Sequence, residues 1–236
     1  MNGREIRGKI SISKDEAKHI GICMIAISFA FAIMIGRLNG LLSSPREFLV
    51  LFVASFMTVG TGFILHEMAH KLVAIWYGAP ARFLMWPKGL LLMLASSFLG
   101  VLFAAPGAVY IFSDKISKRQ NGTISIAGQM VNLVLVGVFL ALGKIIPVVF
   151  NLSIIEGMTL NVWNFGAKMN IILGLFNMIP AFPLDGSKVL SWNFWLWSGI
   201  TLIMLGVSTL LLGPGYAIVW LIFAAILMVL SRFAFG

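Results

Sequence analysis

Ile64-Leu65-His66-Glu67-Met68-Ala69-His70 is the stretch on which the reading of this chain turns. It sets two imidazoles and a carboxylate inside a largely apolar run over 48–77. Four residues advance an α-helix by slightly more than one turn, so His66 and His70 share a face at a spacing that suits one metal ion. Glu67 leaves the helix at an adjacent angle, from which it reaches a metal-bound water as a base without being a ligand. Ionisable groups at such depth are expensive and usually functional.

The surrounding composition defines the solvent. Of 236 residues, 60% are hydrophobic and only 11% charged, and the mean hydropathy is +1.00, far from a soluble domain. A bilayer crossing needs about 20 helical residues. By that measure the sequence predicts an all-α polytopic membrane protein of about six spans, with helices near 20–42, 48–77, 123–146, 160–180, 189–212 and 215–235. The first run is too long for a signal peptide and lacks a small-residue cleavage site, so it is expected to stay in the mature protein. Cys23, the lone cysteine, has no internal disulfide partner. With no repeat and no linker, one integral-membrane domain over 1–236 is expected.

The net charge of +9 is explained by topology. Arg4, Arg7, Lys9, Lys14 and Lys18 precede the first span; Arg82, Lys88, Lys115, Lys118 and Arg119 follow the second. Lys188 and Arg232 join the same side if the later spans alternate, against Arg37, Arg46, Lys144 and Lys168 on or toward the other. Cytoplasmic loops carry the Lys/Arg excess, which puts the N-terminus in the cytoplasm of a multi-pass cell-membrane protein. The basic partner is then the lipid bilayer, and nucleic acid is excluded. Trp76, Trp86, Trp192, Trp195 and Trp197 are expected in the interfacial aromatic belt.

A catalytic zinc site typically takes three protein ligands and keeps a position for water. The remaining histidine, His19, sits at the entrance to the first span, so the third ligand is sought among the eight acids. Glu5, Asp15 and Glu16 read as part of the basic N-terminal tail, Glu47 and Glu156 as far-side loop residues, and Asp114 as a solvated loop residue. Asp185 remains, in Asn177-Met178-Ile179-Pro180-Ala181-Phe182-Pro183-Leu184-Asp185-Gly186. Pro180 and Pro183 break the helix there, and irregular backbone at membrane depth is tolerated only where protein buries it or a wet cavity meets it. His and carboxylate ligands suit zinc but also accept other divalent ions. Asn170, Gly174 and Asn177 share a helix face, to line a substrate groove or to pack on neighbours.

For His66 and Asp185 to meet, an odd number of crossings must separate their spans, and the run 123–146 supplies one. The segment 81–112 is therefore expected to enter and leave on the cytoplasmic side as a re-entrant, partly β hairpin. Ala105-Pro106-Gly107-Ala108 is its expected turn, and Val109-Tyr110-Ile111-Phe112 has strand-like composition.

With HEMAH on one helix and NMIPAFPLDG on a later one, the chain resembles the site-2 protease family of intramembrane zinc metalloproteases. The resemblance implies one catalytic zinc held by His66, His70 and Asp185, with Glu67 as the catalytic base. It also implies transmembrane protein substrates cut within the bilayer near the cytoplasmic face, in regulated intramembrane proteolysis. Ala127-Gly128-Gln129-Met130-Val131-Asn132 is similar to the family's GPxxN element, with Gln129 in place of the proline. Asn132 is the family's substrate or oxyanion residue by that match, and Asn177 is a second candidate. The motifs imply a catalytic core of about 48–190, and neither a PDZ nor a CBS domain is seen. The competing readings are a transporter, which would show charges on several helices or a repeat, and a catalytically inactive metal-binding protein, which would more readily have lost Glu67.

Overall fold

The computed structural model describes residues 11–100, 102, 106–153 and 158–235. Arg4, Glu5, Arg7, Lys9, Ala105 and Glu156 lie outside the described residues. Helix α1 (Lys14–Ser43) begins earlier than hydropathy suggests, because its start is set by a cap. The Ser13 hydroxyl accepts the Glu16 amide at 3.2 Å, and Asp15 and Glu16 favour the positive end of the helix. Glu16 is thereby drawn out of the expected tail and is buried. Arg37, with φ 54° and ψ −179°, breaks the helical geometry near the far end.

Ser44 alone separates α1 from α2 (Pro45–Ser55), which has its proline at the start where no amide donor is required. A single π turn over Phe56–Gly60 then leads into α3 (Thr61–Trp76), so 45–76 is one rod carrying both histidines. Its mark is the Thr61 amide donating to Phe56 O, five residues back.

Segment 81–112 departs from expectation in detail. It folds as β1 (Ala81–Met85), α4 (Pro87–Phe98) and β2 (Gly107–Ile111). The strands pair antiparallel, Ala81 opposite Ile111 and Met85 opposite Gly107, so the segment begins and ends side by side. Gly107 and Ala108, expected in a turn, belong to the strand; the insertion between the strands contains α4, at 12 residues too short for a crossing of about 20.

Helix α5 (Lys118–Ile145) starts from a reciprocal capping box between Ser117 and Gln120. It is followed by an unforeseen antiparallel hairpin, β3 (Val149–Leu152) with β4 (Met158–Asn161), whose four-residue strands are too short to show a period-two pattern. Asn161 caps α6 (Val162–Asn177), and this helix of 16 residues is shorter than the expected 160–180. The expected helix 189–212 is divided. Asn193 is extended (φ −151°, ψ 108°), ends α7 (Asp185–Trp192), and accepts the Leu196 amide to cap α8 (Phe194–Leu212). After Gly213 the chain returns as α9 (Pro214–Phe235).

Among the described residues, five helices are long and apolar enough to cross a membrane: Lys14–Leu38, Pro45–Trp76, Lys118–Ile145, Phe194–Leu212 and Pro214–Ser231. One apolar cluster joins α1, α2, α3, β1 and the start of α6; a second joins α5, α6, α8 and α9. α5 lies between them and packs on α3, α6 and α7. Leu202, Leu210, Ile218 and Leu221 on α8 and α9 face outward, as suits helices bordering lipid.

Two of the expected interfacial tryptophans are half-buried and also touch the interior. Trp192 packs where a Cβ on Gly122 of α5 would stand, and the Trp197 indole donates to Met178 O at 2.9 Å. Trp76, Trp86 and Trp195 are exposed.

Candidate metal centre

α3 presents His66 and His70 toward α5, and both rings are oriented by it. His66 Nδ1 lies 2.7 Å from Asn132 Oδ1, and His70 Nδ1 lies 2.8 Å from the carbonyl oxygen of Ile124. A carbonyl only accepts, so His70 carries its proton on Nδ1. The Asn132 amide nitrogen donates to Asn170 O at 3.2 Å, which turns its oxygen to His66 and gives that ring the same tautomer. Both Nε2 lone pairs therefore point inward.

α7 brings the third group. Asp185 Oδ2 stands 2.9 Å from His70 Nε2 and 3.3 Å from His66 Nε2, while the two Nε2 atoms are 2.9 Å apart. Two nitrogen lone pairs and a carboxylate oxygen thus converge with no proton left over to link them all. Ligand atoms of a tetrahedral zinc at about 2.0–2.1 Å stand about 3.3 Å from one another, so the donor set fits such an ion in chemistry and in size. Glu67 joins the two histidines in a buried group whose candidate ligand atoms lie within 4.8 Å of one another.

The approach of α5 depends on Gly128. A Cβ there would come within 2.5 Å of His70 Cε1 and 2.6 Å of His66 Cε1. Gly186 serves the same end for α7, since its Cβ would meet Met178 O at 2.2 Å and push the helix start off the preceding loop. Asp185 is further held by Lys188 Nζ, 3.0 Å from Oδ1, and by Gln129 Nε2, 3.3 Å from Oδ2. Burial favours the neutral Asp185 carboxyl, and the Lys188 ammonium beside it acts the other way, favouring the carboxylate.

Glu67 also reaches the small sheet. Its Oε2 accepts the Val109 amide of β2 at 2.8 Å, which ties the small sheet to the metal helix. The contact joins residues 42 apart, beyond any local sequence pattern. Gln129, Lys188 and Ile124 also border this group without any local signal in the sequence, although Gly128 and Asn132 stand one turn apart on a recognisable small, polar face of α5. Asn132 sits against His66, not in an open groove. Asn170 is fully buried and donates to Gly166 O and Thr58 O, so of its two readings packing is the observed one. Asn177 ends α6 half-buried, and among the described residues its side chain makes no hydrogen bond to the centre.

Residues 141–222 match peptidase family M50. Over 197 residues the chain is 36% identical to a Methanocaldococcus jannaschii protein named "Putative zinc metalloprotease", covering 82% of this chain and 93% of that one. This chain belongs to peptidase family M50, the site-2 protease family. A second M. jannaschii protein, named a zinc metalloprotease, is 30% identical over 149 residues, covering 60% of this chain and 33% of its own length. A Synechocystis protein named "Putative zinc metalloprotease" is 28% identical over 136 residues, covering 58% of this chain and 30% of its own. No solved structure matches the chain. M50 membership accounts for a buried His66, Glu67 and His70 group on an apolar helix, and five apolar helices suit a multi-pass membrane metalloprotease.

Asn132→Ala removes the acceptor that fixes the His66 tautomer. Loss of such an outer-shell partner lowers metal affinity about 10–100-fold. Zinc titration against a competing chelator is expected to show a loss of that size, and unchanged affinity would remove Asn132 from the ligand scaffold.

Proposed function

We propose that this M50 member is an intramembrane zinc metalloendopeptidase. It cuts transmembrane protein substrates within the bilayer near the cytoplasmic face of the cell membrane, in regulated intramembrane proteolysis. The observation carrying this reading is the convergence of His66 Nε2, His70 Nε2 and Asp185 Oδ2 beside the Glu67 carboxylate. In it His66, His70 and Asp185 hold one zinc, the N-terminus is cytoplasmic, and 1–236 is one membrane domain with its core at about 48–190. The segment 81–112 dips into the cytoplasmic side of the bilayer, which its paired ends support.

Held by His66, His70 and Asp185, a zinc would lower the pKa of a bound water to about 7 and polarise the substrate carbonyl. Glu67 takes the proton of the attacking water on its carboxylate and returns it to the leaving amine nitrogen. Asn132 and the Ile124 carbonyl keep both imidazoles neutral at Nε2. Lys188 occupies Asp185 Oδ1 and leaves Oδ2 for the metal. Burial of the group in an apolar bundle strengthens each of these interactions.

The substrate must be extended, because a helical amide is shielded and already hydrogen-bonded. The outer edge of β2 is the natural place for it to pair. Phe112 N–H donates to Pro80 O, so in an antiparallel ladder the amides of Gly107 and Ile111 face away from β1 on either side of the Val109 amide that Glu67 holds. Ile111→Pro deletes one of these amides without touching Glu67 or the ladder. One hydrogen bond is worth about 0.5–1.5 kcal/mol net, so kcat/KM is expected to fall about 2–10-fold; an unchanged value would argue against strand addition there.

The whole reading is tested on protein purified in detergent, by its zinc content and by cleavage of a panel of single-span substrates beside Glu67→Gln. Zinc-dependent cleavage by the native chain alone is expected. Absence of zinc, or equal cleavage by both proteins, would overturn it.

A further inference from the structure

Glu16 and Lys71 lie outside the metal group, yet both are only 2% exposed. Lys71 Nζ stands 2.7 Å from each Glu16 oxygen and donates a third bond to Ser11 O at 2.8 Å. Glu16 Oε1 also accepts the Phe83 amide of β1 at 2.9 Å. Isolated buried ion pairs often add little to stability relative to apolar residues of similar volume, so stability alone is a weak reason for this one.

Its place in the fold supplies a better reason. Phe83 and Val109 are register partners across β1 and β2, and the amide of each leaves the ladder for a carboxylate. Phe83 donates to Glu16 on α1, and Val109 donates to Glu67 on α3. Lys71 stands four residues after Glu67 on that same helix, about one turn. The contacts therefore close a ring: Glu67 to Val109, across the sheet to Phe83, to Glu16, to Lys71, and back along α3. A two-stranded sheet is weak by itself, and this ring clamps both of its edges relative to the metal helix.

We infer that Glu16, paired with Lys71, is a positioning residue that fixes β2 against the Glu67 carboxylate by holding the Phe83 amide. The inference rests on the peptidase reading above for its kinetic arm alone. Glu16 touches no substrate or metal ligand; it acts through the sheet.

Single substitutions would strand one buried charge, so the test uses two double variants. Glu16→Met with Lys71→Met removes both charges and the Phe83 acceptor. Glu16→Gln with Lys71→Met removes both charges but keeps a carbonyl oxygen for Phe83. The Met/Met protein is expected to bind zinc normally, exchange its amide hydrogens over 107–111 faster, and lose kcat about 10–100-fold, as expected for a misplaced base. The Gln/Met protein is expected to recover exchange protection and most of kcat. Asp15→Asn, which removes an exposed pair to Arg82 at 3.5 Å from the same helix end, is the control and is expected to change nothing beyond about twofold. Native exchange and kcat in the Met/Met protein, or equal impairment of the two doubles, would overturn the assignment. If the native protein cleaves no substrate, the peptidase reading fails, and the exchange rates over 107–111 still decide whether Glu16 anchors the sheet.

Discussion

Glu67→Gln is expected to retain its zinc and to lose about 10²–10⁴-fold in kcat, the usual contribution of a positioned general base. The replacement is isosteric and keeps an oxygen to accept the Val109 amide, so the sheet stays anchored to α3. What disappears is basicity: the amide cannot take the proton of the attacking water. The zinc measurement matters as much as the rate. Glu67 lies in the same buried group as His66 and His70 and could by distance be their third partner. Metal retained with activity lost separates a base from a ligand; metal lost would reassign Glu67 to the coordination shell, and wild-type turnover would refute the base.

Asp185→Ala is expected to do the reverse and release the metal. Its Oδ2 approaches both Nε2 atoms, at 2.9 and 3.3 Å, whereas a Glu67 oxygen is engaged by the Val109 amide. Removing an outer-shell partner costs about 10–100-fold in metal affinity, so deleting a ligand should exceed the upper end of that range, and cleavage should vanish with the zinc. Lys188, left without its carboxylate, is about a third exposed and can turn to water, so the fold is expected to survive. A purified Asp185→Ala protein with native zinc affinity would exclude Asp185 as a ligand. The two substitutions together assign the carboxylates: one supplies a proton acceptor, the other a bond to the metal.

Much of this was legible before any fold was known, and the reasons are local. Histidines four apart in an apolar run share a helix face whatever surrounds them. The break at Pro180 and Pro183 follows from missing amide donors, and the acid just beyond it stands out because the other candidates lie in the basic N-terminal tail, in far-side loops or in a polar loop. The misreadings have local causes as well. Hydropathy starts α1 too late because it does not register the Ser13 cap. The 189–212 run reads as continuous because a single Asn193 in a window of apolar residues barely lowers its hydropathy. Glu16 reads as part of the basic N-terminal tail because its partner, Lys71, is 55 residues away and on another helix.

The amino-acid order by itself determined the apolar helices, the pairing of two imidazoles on one face, and the carboxylate waiting at a broken helix end, since each depends on neighbours within one or two turns. Only the tertiary structure decided that Asn132 and Ile124 set the imidazole tautomers, that Gly128 admits α5 to the metal group, and that two carboxylates clamp opposite edges of the β1–β2 sheet. Those facts depend on distances between segments far apart in the chain, and helix periodicity carries no information about which faces meet. Packing supplies that information, because only one arrangement buries these polar groups with their hydrogen bonds satisfied.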